Sequence, residues 1–286
     1  MTLQALVVQH EIGIRLGAYI GIFSLMAIWE LFAPRRTLAV SKWMRWTNNL
    51  GLVFFNTLIL RVLFPVAAVG VAIFANNNGW GLFNYFRISY PLAIVLSVIA
   101  LDLVVYFQHV LMHAVPTLWR LHRVHHADLD YDVTTGSRFH PLEIVLSMLI
   151  KFCAILVMGA PAAGVVIFEV VLNAMAMFNH GNVGLPLGID RVLRLLVVTP
   201  DMHRVHHSIE VDETNSNFGF NLSLWDRLFG TYTDQPREGH AGMTVGIYQF
   251  REPKQVSLLP GMLALPFVGK VSNYTINRRE RINTGD

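Results

Sequence analysis

The chain has 286 residues, 53% of them hydrophobic and only 14% charged, where a soluble domain carries roughly a quarter charged residues; the deficit excludes an ordinary soluble enzyme and points to a bilayer. The net charge of +3 lies in short basic clusters beside apolar runs, with no aromatic–basic stripe, which speaks against a nucleic-acid partner. The single cysteine, Cys153, in the run KFCAILVMG, excludes a disulfide framework and a thiolate-held metal, and is expected to pack inside a membrane helix.

The N-terminal stretch MTLQALVVQHEIGIR has neither a basic leader nor a small-residue cleavage site, so the first apolar segment is expected to remain as a helix. Four apolar stretches follow: residues 16–33, interrupted by Glu30 and closed by Pro34, Arg35 and Arg36; residues 50–75, containing Asn56 and Arg61; residues 91–107, with Asp102 inside; and residues 142–178, broken at 159–161 into two helical halves. Each approaches the roughly 20 residues that cross a bilayer, and the last two halves could instead form a re-entrant hairpin. Between the second and third stretches, residues 76–79 (NNNG) form a turn cluster. Arg35, Arg36, Lys42 and Arg45 place the first loop in the cytoplasm by the positive-inside rule. Residues 108–141 and everything after about 179 then share that side. The expected fold is all-α: about four spans or hairpins under a cytoplasmic helical cap, in a bacterial inner membrane or endoplasmic reticulum. Residues 1–90 form N-terminal membrane helices, 91–235 a catalytic region and 236–286 a polar C-terminal tail.

Twelve histidines are far more than an apolar chain needs. With His10 and His240 set aside, His109, His113, His122, His125, His126, His140, His180, His203, His206 and His207 all fall in the segments that the charge rule places on one side. His109 and His113 are four apart at the end of a helix, so both imidazoles leave one face. HRVHH occurs twice, at 122–126 and 203–207; the first and last histidines of each are again four apart, and the middle one lies about 100° round. Adjacent histidines that point in different directions can serve two metals. A lone histidine is more often a hydrogen-bonded core residue, a reading that stays open for His140 and His180; clustering makes it untenable for the other eight.

An all-imidazole shell suits Zn, Cu, Fe or Ni, and ten histidines exceed one zinc site with its three protein ligands. A redox pair able to activate O2 against a C–H bond makes iron the first choice, with zinc able to displace it on purification. Asp102, Asp128, Asp130, Glu143, Asn179, Asn182 and Asp201 are candidates to orient the imidazoles, and Glu30 is expected in a helix-end ion pair. The competing readings are a zinc-dependent membrane hydrolase, which lacks the glutamate of HExxH, and a metal-binding transporter or sensor. The latter would need polar groups at mid-membrane depth, where Lys151 and Arg61 are the cations expected. Arg120, Arg123, Arg138, Arg191, Arg194 and Arg204 are expected at lipid headgroups or at a docking face for an acidic electron donor.

The ordered set His109-Val-Leu-Met-His113, His122-Arg-Val-His125-His126, Arg138-Phe-His140-Pro141, Asn179-His180 and His203-Arg-Val-His206-His207, followed by Asn217-Phe-Gly-Phe-Asn-Leu-Ser-Leu-Trp-Asp-Arg-Leu-Phe-Gly-Thr231, resembles the fatty acid hydroxylase superfamily, also called the sterol desaturase family. The resemblance covers about residues 95–233. It implies an integral membrane di-iron oxygenase that hydroxylates or desaturates a lipid such as a fatty acyl chain or sterol, with O2 as co-substrate. Its histidine boxes carry over as metal ligands, with His140 and His180 in less rigid parts of the pattern. Electrons would come from a separate donor such as cytochrome b5 or a ferredoxin, since the chain has no room for a fused cytochrome b5 domain.

Overall fold

A computed structural model describes residues 3–271 and 273–276. Among these the chain is helical and contains no β-strand, only isolated bridges. A short helix, α1 (Leu3–Gln9), leads into α2 (Glu11–Phe32); α3 (Lys42–Leu63), α4 (Ala68–Asn77), α5 (Tyr90–Ala114), α6 (Pro116–His126), α7 (Pro141–Met158), α8 (Ala162–Asn179) and the two-turn α9 (Pro200–His206) follow. Five helical segments, containing α2, α3, α5, α7 and α8, are long and apolar enough to cross a membrane.

The helix ends follow local chemistry. Ser41 Oγ caps α3 through the Met44 amide, and prolines at the first turn open α5, α6, α7 and α9, where a missing N–H has no consequence. Gly159 ends α7 in the left-handed region, at φ 70°. The last apolar stretch is therefore two antiparallel helices, as the break at 159–161 implies. The stretch 50–75, expected as one helix, is two. Pro65 cannot donate to the helix ladder and forces Phe64 out of helical geometry, so α3 stops at Leu63 and α4 begins afresh. Arg61, expected deep in the membrane, consequently sits exposed in the last turn of α3. Cys153 lies in α7 but on its outward face.

The long helices alternate in direction, so one end of the bundle gathers the C-termini of α2, α5 and α8 and the N-termini of α3 and α7. At that end a buried ionic network ties the 34–46 loop to the 128–135 segment. Arg45, fully buried, donates to both oxygens of Asp128 at 2.9 and 2.8 Å, to Asp132, and to Thr135 Oγ1 at 3.1 Å. Burial alone would raise the Asp128 pKa, but Arg45 and Arg138 beside it hold the carboxyl at about 2. Asp130 accepts from the amides of Ala39 and Val40, and Glu30 from those of Val133 (2.7 Å) and Asn182 (2.8 Å), with Lys42 more distant at 3.8 Å. Arg35 pairs with Asp201 at 3.1 Å.

Residues 236–276 do not form a polar tail. Ile247, Phe250, Val256, Met262, Leu265 and Tyr274 are buried and pack with Leu52, Trp119 and Val124 against the back of α6 and α3. Their apolar positions are scattered among short helices, without a period that would announce burial. Residues 277–286 lie outside the described residues.

This segment also reassigns the arginines expected at headgroups or a donor. Arg123 donates to the carbonyls of Leu265 and Lys270, Arg138 to those of Val124 and Val256, and Arg120 to those of Pro266 and Gly269. Arg204 is buried on Asp201 and Arg194 on Asp190 and Asp234. Of the six, Arg191 alone is exposed.

Candidate metal centre

Val115 turns the chain between α5 and α6, folding the His109/His113 face onto the histidines of α6. The start of α9, capped by Thr199 Oγ1 on the Met202 amide, brings the second HRVHH alongside. Two adjoining buried groups result. His109, His113, His122, His126 and His206 form one, and His125, His180, His203 and His207 the other; within each, one nitrogen per ring lies within 4.8 Å of all the others. The two HRVHH segments divide in the same way. The outer pair of each (His122 with His126, His203 with His207) serves one group, and the middle histidine, His125 or His206, crosses to the other.

The rings are held from behind. His109 Nδ1–H donates to the Phe218 carbonyl (2.8 Å), His206 Nδ1–H to that of Ser216 (2.7 Å) and His180 Nδ1–H to that of Ala176 (2.8 Å). His122 Nδ1–H donates to Glu143 Oε1 (2.6 Å). Asn215 commits its Nδ2 to the carbonyls of Val211 and Tyr274, leaving Oδ1 to accept from His113 Nδ1–H at 3.3 Å. Each such bond fixes the tautomer with the Nε2 lone pair facing inward.

A metal-free reading then meets a physical obstacle. His109 Nε2 and His122 Nε2 stand 3.1 Å apart, yet both Nδ1 atoms carry the proton, so two lone pairs face each other with no hydrogen between. About 3 Å is the edge between two nitrogens bound at roughly 2.0–2.1 Å to one ion. In addition, His113 Nε2, His206 Nε2 and both nitrogens of His126, His203 and His207 are buried without a protein partner. The donor set fits metal ions. Burial, then neighbouring imidazoles, pushes His125, His126, His203, His206 and His207 well below the ordinary histidine value, and burial brings His180 to about 3. At neutral pH these rings are uncharged, the form that a metal needs.

His140 is not brought to either group. It caps α7, its Nδ1 accepting from the Leu142 amide (3.2 Å), while its Nε2–H donates to the Leu263 carbonyl (3.3 Å). His240 lies 3.6 Å from Asp201, and His10 precedes α2. Among the residues expected to orient imidazoles, Glu143 does so. The rest brace the scaffold: Asp102 accepts from the amides of Asn221 and Leu222 and from Trp225 Nε1, Asn179 donates to the Phe220 carbonyl, Asn182 bonds Arg36, and Asp128, Asp130 and Asp201 hold the partners above. Asp102 and Asp226, which accepts from the amides of Phe218 and Gly219 (2.7 and 2.8 Å), thereby shape the 216–226 strap whose carbonyls hold His109 and His206. Backbone acceptors leave no signature in a sequence; Asn215 was the one side chain that could have been found, and it lies outside the histidine boxes.

Replacing Glu143 by leucine removes the anchor of His122. Metal affinity is expected to fall about 10- to 100-fold, and less in Glu143→Gln, whose amide oxygen still accepts. Metal titration of the three proteins checks this.

A cavity of about 380 Å³ starts at His109 and His122 and descends between α2, α3, α5, α7 and α8 to Arg15, Lys151 and Glu169. Thr57, on its wall, is exposed.

The fold and site define a multi-helix membrane protein built around two buried histidine groups whose donors fit metal ions. The sequence model of the fatty acid hydroxylase family matches residues 94–231, a stretch that includes all nine clustered histidines. It is 32% identical over 151 residues to ornithine lipid hydroxylase OlsE of Rhizobium tropici (52% of this chain, 45% of that protein). Over 217 residues it is 27% identical to alkylglycerol monooxygenase of Xenopus tropicalis (73% of this chain, 46% of that protein), and over 161 residues 30% identical to that of Homo sapiens (55% and 34%). The chain thus spans less than half the length of these relatives. No solved structure matches it.

Proposed function

We propose that the chain is a membrane-bound oxygenase that hydroxylates, or desaturates, a lipid C–H bond with O2 and external electrons. The observation that carries this reading is the pair of adjoining all-histidine groups at the end of a cavity that runs between the apolar helices. The nine histidines of the two groups would hold two iron ions, one per group, with zinc able to take their place on purification. The iron pair, when bound, supplies the redox chemistry that activates O2. Hydroxylation balances as RH + O2 + 2 e⁻ + 2 H⁺ → ROH + H2O, so a separate one-electron donor, such as cytochrome b5 or a ferredoxin, must deliver both electrons. The site end of the bundle would face the cytoplasm, where such donors reside.

The chain's own residues perform the remaining work. Phe218, Ser216 and Ala176 carbonyls, Asn215 and Glu143 keep Nδ1 protonated and Nε2 inward, so the ligand geometry exists before metal arrives. Leu101, Met112, Phe168 and Phe220 line the cavity and keep water from the reacting carbon. The histidines that would hold the metal ions stand on or beside helix ends, which would limit the positions open to a reacting carbon.

The test is metal content and O2 uptake by anaerobically purified protein reconstituted with Fe(II). About two irons per chain, and lipid-dependent O2 uptake with a product one oxygen heavier or two hydrogens lighter, is the expected result. Tightly held zinc that Fe(II) cannot replace, with no O2 uptake, would instead support a hydrolase.

A further inference from the structure

Outside the spanning helices, one face of the protein is apolar and uncovered. In residues 186–196, which include a short helix (Leu187–Leu193), Leu187, Ile189, Val192, Leu195 and Leu196 are 52–72% exposed. Leu224, Leu228 and Phe229, in and just after the short helix Leu224–Leu228, are 45–65% exposed. The two segments lie side by side. The Ser223 amide donates to the Leu196 carbonyl (3.2 Å) and the Val198 amide to that of Asn221 (3.0 Å), while Ser223 Oγ and Arg227 both donate to that of Arg194 (2.7 and 3.0 Å). These apolar side chains therefore form one patch. A single exposed leucine is ordinary, but a contiguous patch of this kind marks an interaction surface.

The patch is continuous with the outward face of a spanning helix. The Phe229 ring is stacked 5.3 Å from Tyr106 and lies 5.1 Å from Phe107, both on α5. Phe107 and Leu111 are nearly half exposed on that helix. They stand about 10 and 5 Å from its site end. With 25 residues, α5 is longer than the roughly 30 Å hydrocarbon core, so this is the level of the bilayer boundary.

The charges fit the same partner. Arg191 and Arg227 are exposed among the apolar positions, whereas the nearby acids Asp190 and Asp234 are held by Arg194. Phospholipid phosphates accept from such cations. A second copy of the chain, related by a twofold axis, would instead bring another pair of the same arginines into the contact.

We propose that residues 186–196 and 224–229 form an in-plane membrane contact, in which the apolar side chains enter the bilayer at its boundary and Arg191 and Arg227 meet phospholipid phosphates. This surface lies along the membrane beside α5, outside the five spanning segments, and it stands independently of the reaction. Because the bonds of Leu196, Val198 and Ser223 tie the patch to the 216–226 strap, the contact also braces the carbonyls that hold His109 and His206.

The test uses the full chain in phosphatidylcholine nanodiscs, with Cys153→Ser removing the native thiol. Single spin labels are placed through Val192→Cys, Leu228→Cys and, as the aqueous reference, Arg237→Cys, whose arginine pairs with Asp212 on an exposed surface. A label on Cys153 itself, exposed on a spanning helix, gives the lipid reference. Power saturation compares collisions with O2, which partitions into lipid, against those with a water-soluble nickel chelate. Labels at 192 and 228 are expected to show an O2-to-nickel ratio at least about fivefold above that at 237, at a depth of about 5–10 Å. If Val192→Cys does not fold, Leu195→Cys takes its place. Ratios at 192 and 228 equal to that at 237 overturn the proposal. So does shielding from both probes with spin–spin broadening that vanishes on dilution with unlabelled chain, which would assign the face to a second copy.

Discussion

His207→Ala is expected to leave the chain with about one metal ion in place of two, and to lower lipid-dependent O2 uptake by at least about 100-fold. The four-histidine group would fall to His125, His180 and His203, three ligands, the smallest set that usually retains a catalytic ion. These three are also poorly anchored: His203 has neither nitrogen bonded and His125 Nδ1 is free, so only His180 is oriented from behind. The loss should exceed the 10- to 100-fold typical of removing an orienting partner, because a ligand itself is gone. His206→Ala takes one ligand from the five-histidine group, where His109, His113 and His122 remain anchored on Phe218, Asn215 and Glu143. That variant should keep closer to two ions while losing activity. Metal analysis beside O2 uptake separates the two, and equal metal loss in both would show that the groups do not bind independently.

Arg45→Ala should be the most destabilising single change outside the histidines. It strands Asp128 and Asp132, both fully buried, around the space of a deleted guanidinium. Breaking a buried pair by removing one partner costs about 3–5 kcal/mol, which corresponds to a fall in Tm on the order of 10 °C. The pH dependence supplies a second reading. In the wild type the Asp128 carboxyl is held at about 2, below its ordinary 3.8, so its contribution is fully present above about pH 4 and is lost as pH falls through about 2. Without Arg45, burial dominates and raises the carboxyl, so protonation relieves the variant. The stability gap between the two proteins should narrow as pH is lowered from 7 toward 4; a gap constant with pH would point to lost packing instead.

The parts legible from sequence were those written in side-chain type and spacing. The all-helical membrane architecture followed from the charge deficit and the apolar runs, and the break at Gly159 from its glycine and proline. The spacing within HRVHH foretold that its outer and middle rings would part, as His122 and His126 do from His125. Less legible was whatever depends on where a charge ends up. Arg45 counted only as one of the loop cations that set the topology, because its partners, Asp128 and Asp132, are more than 80 residues away. Arg15, near a helix start, gave no sign that it lines an inner cavity, whereas Arg61 looked deep because Pro65 was passed over. His140 shares the histidine type but not the place: a residue two positions before an amide at a helix start is held as a cap by that amide.

The packing of residues 247–274 on α6 has a consequence for how the protein comes into being. Leu259 donates its amide to Asn48 at 2.8 Å, and Arg123 and Arg138 bond carbonyls of the same late segment. During synthesis His207, the last of the nine clustered histidines, emerges before any of these contacts can form. For that interval α6 lacks its backing. The chain itself orders the two events: the nine histidines are all made before the segment that clasps them.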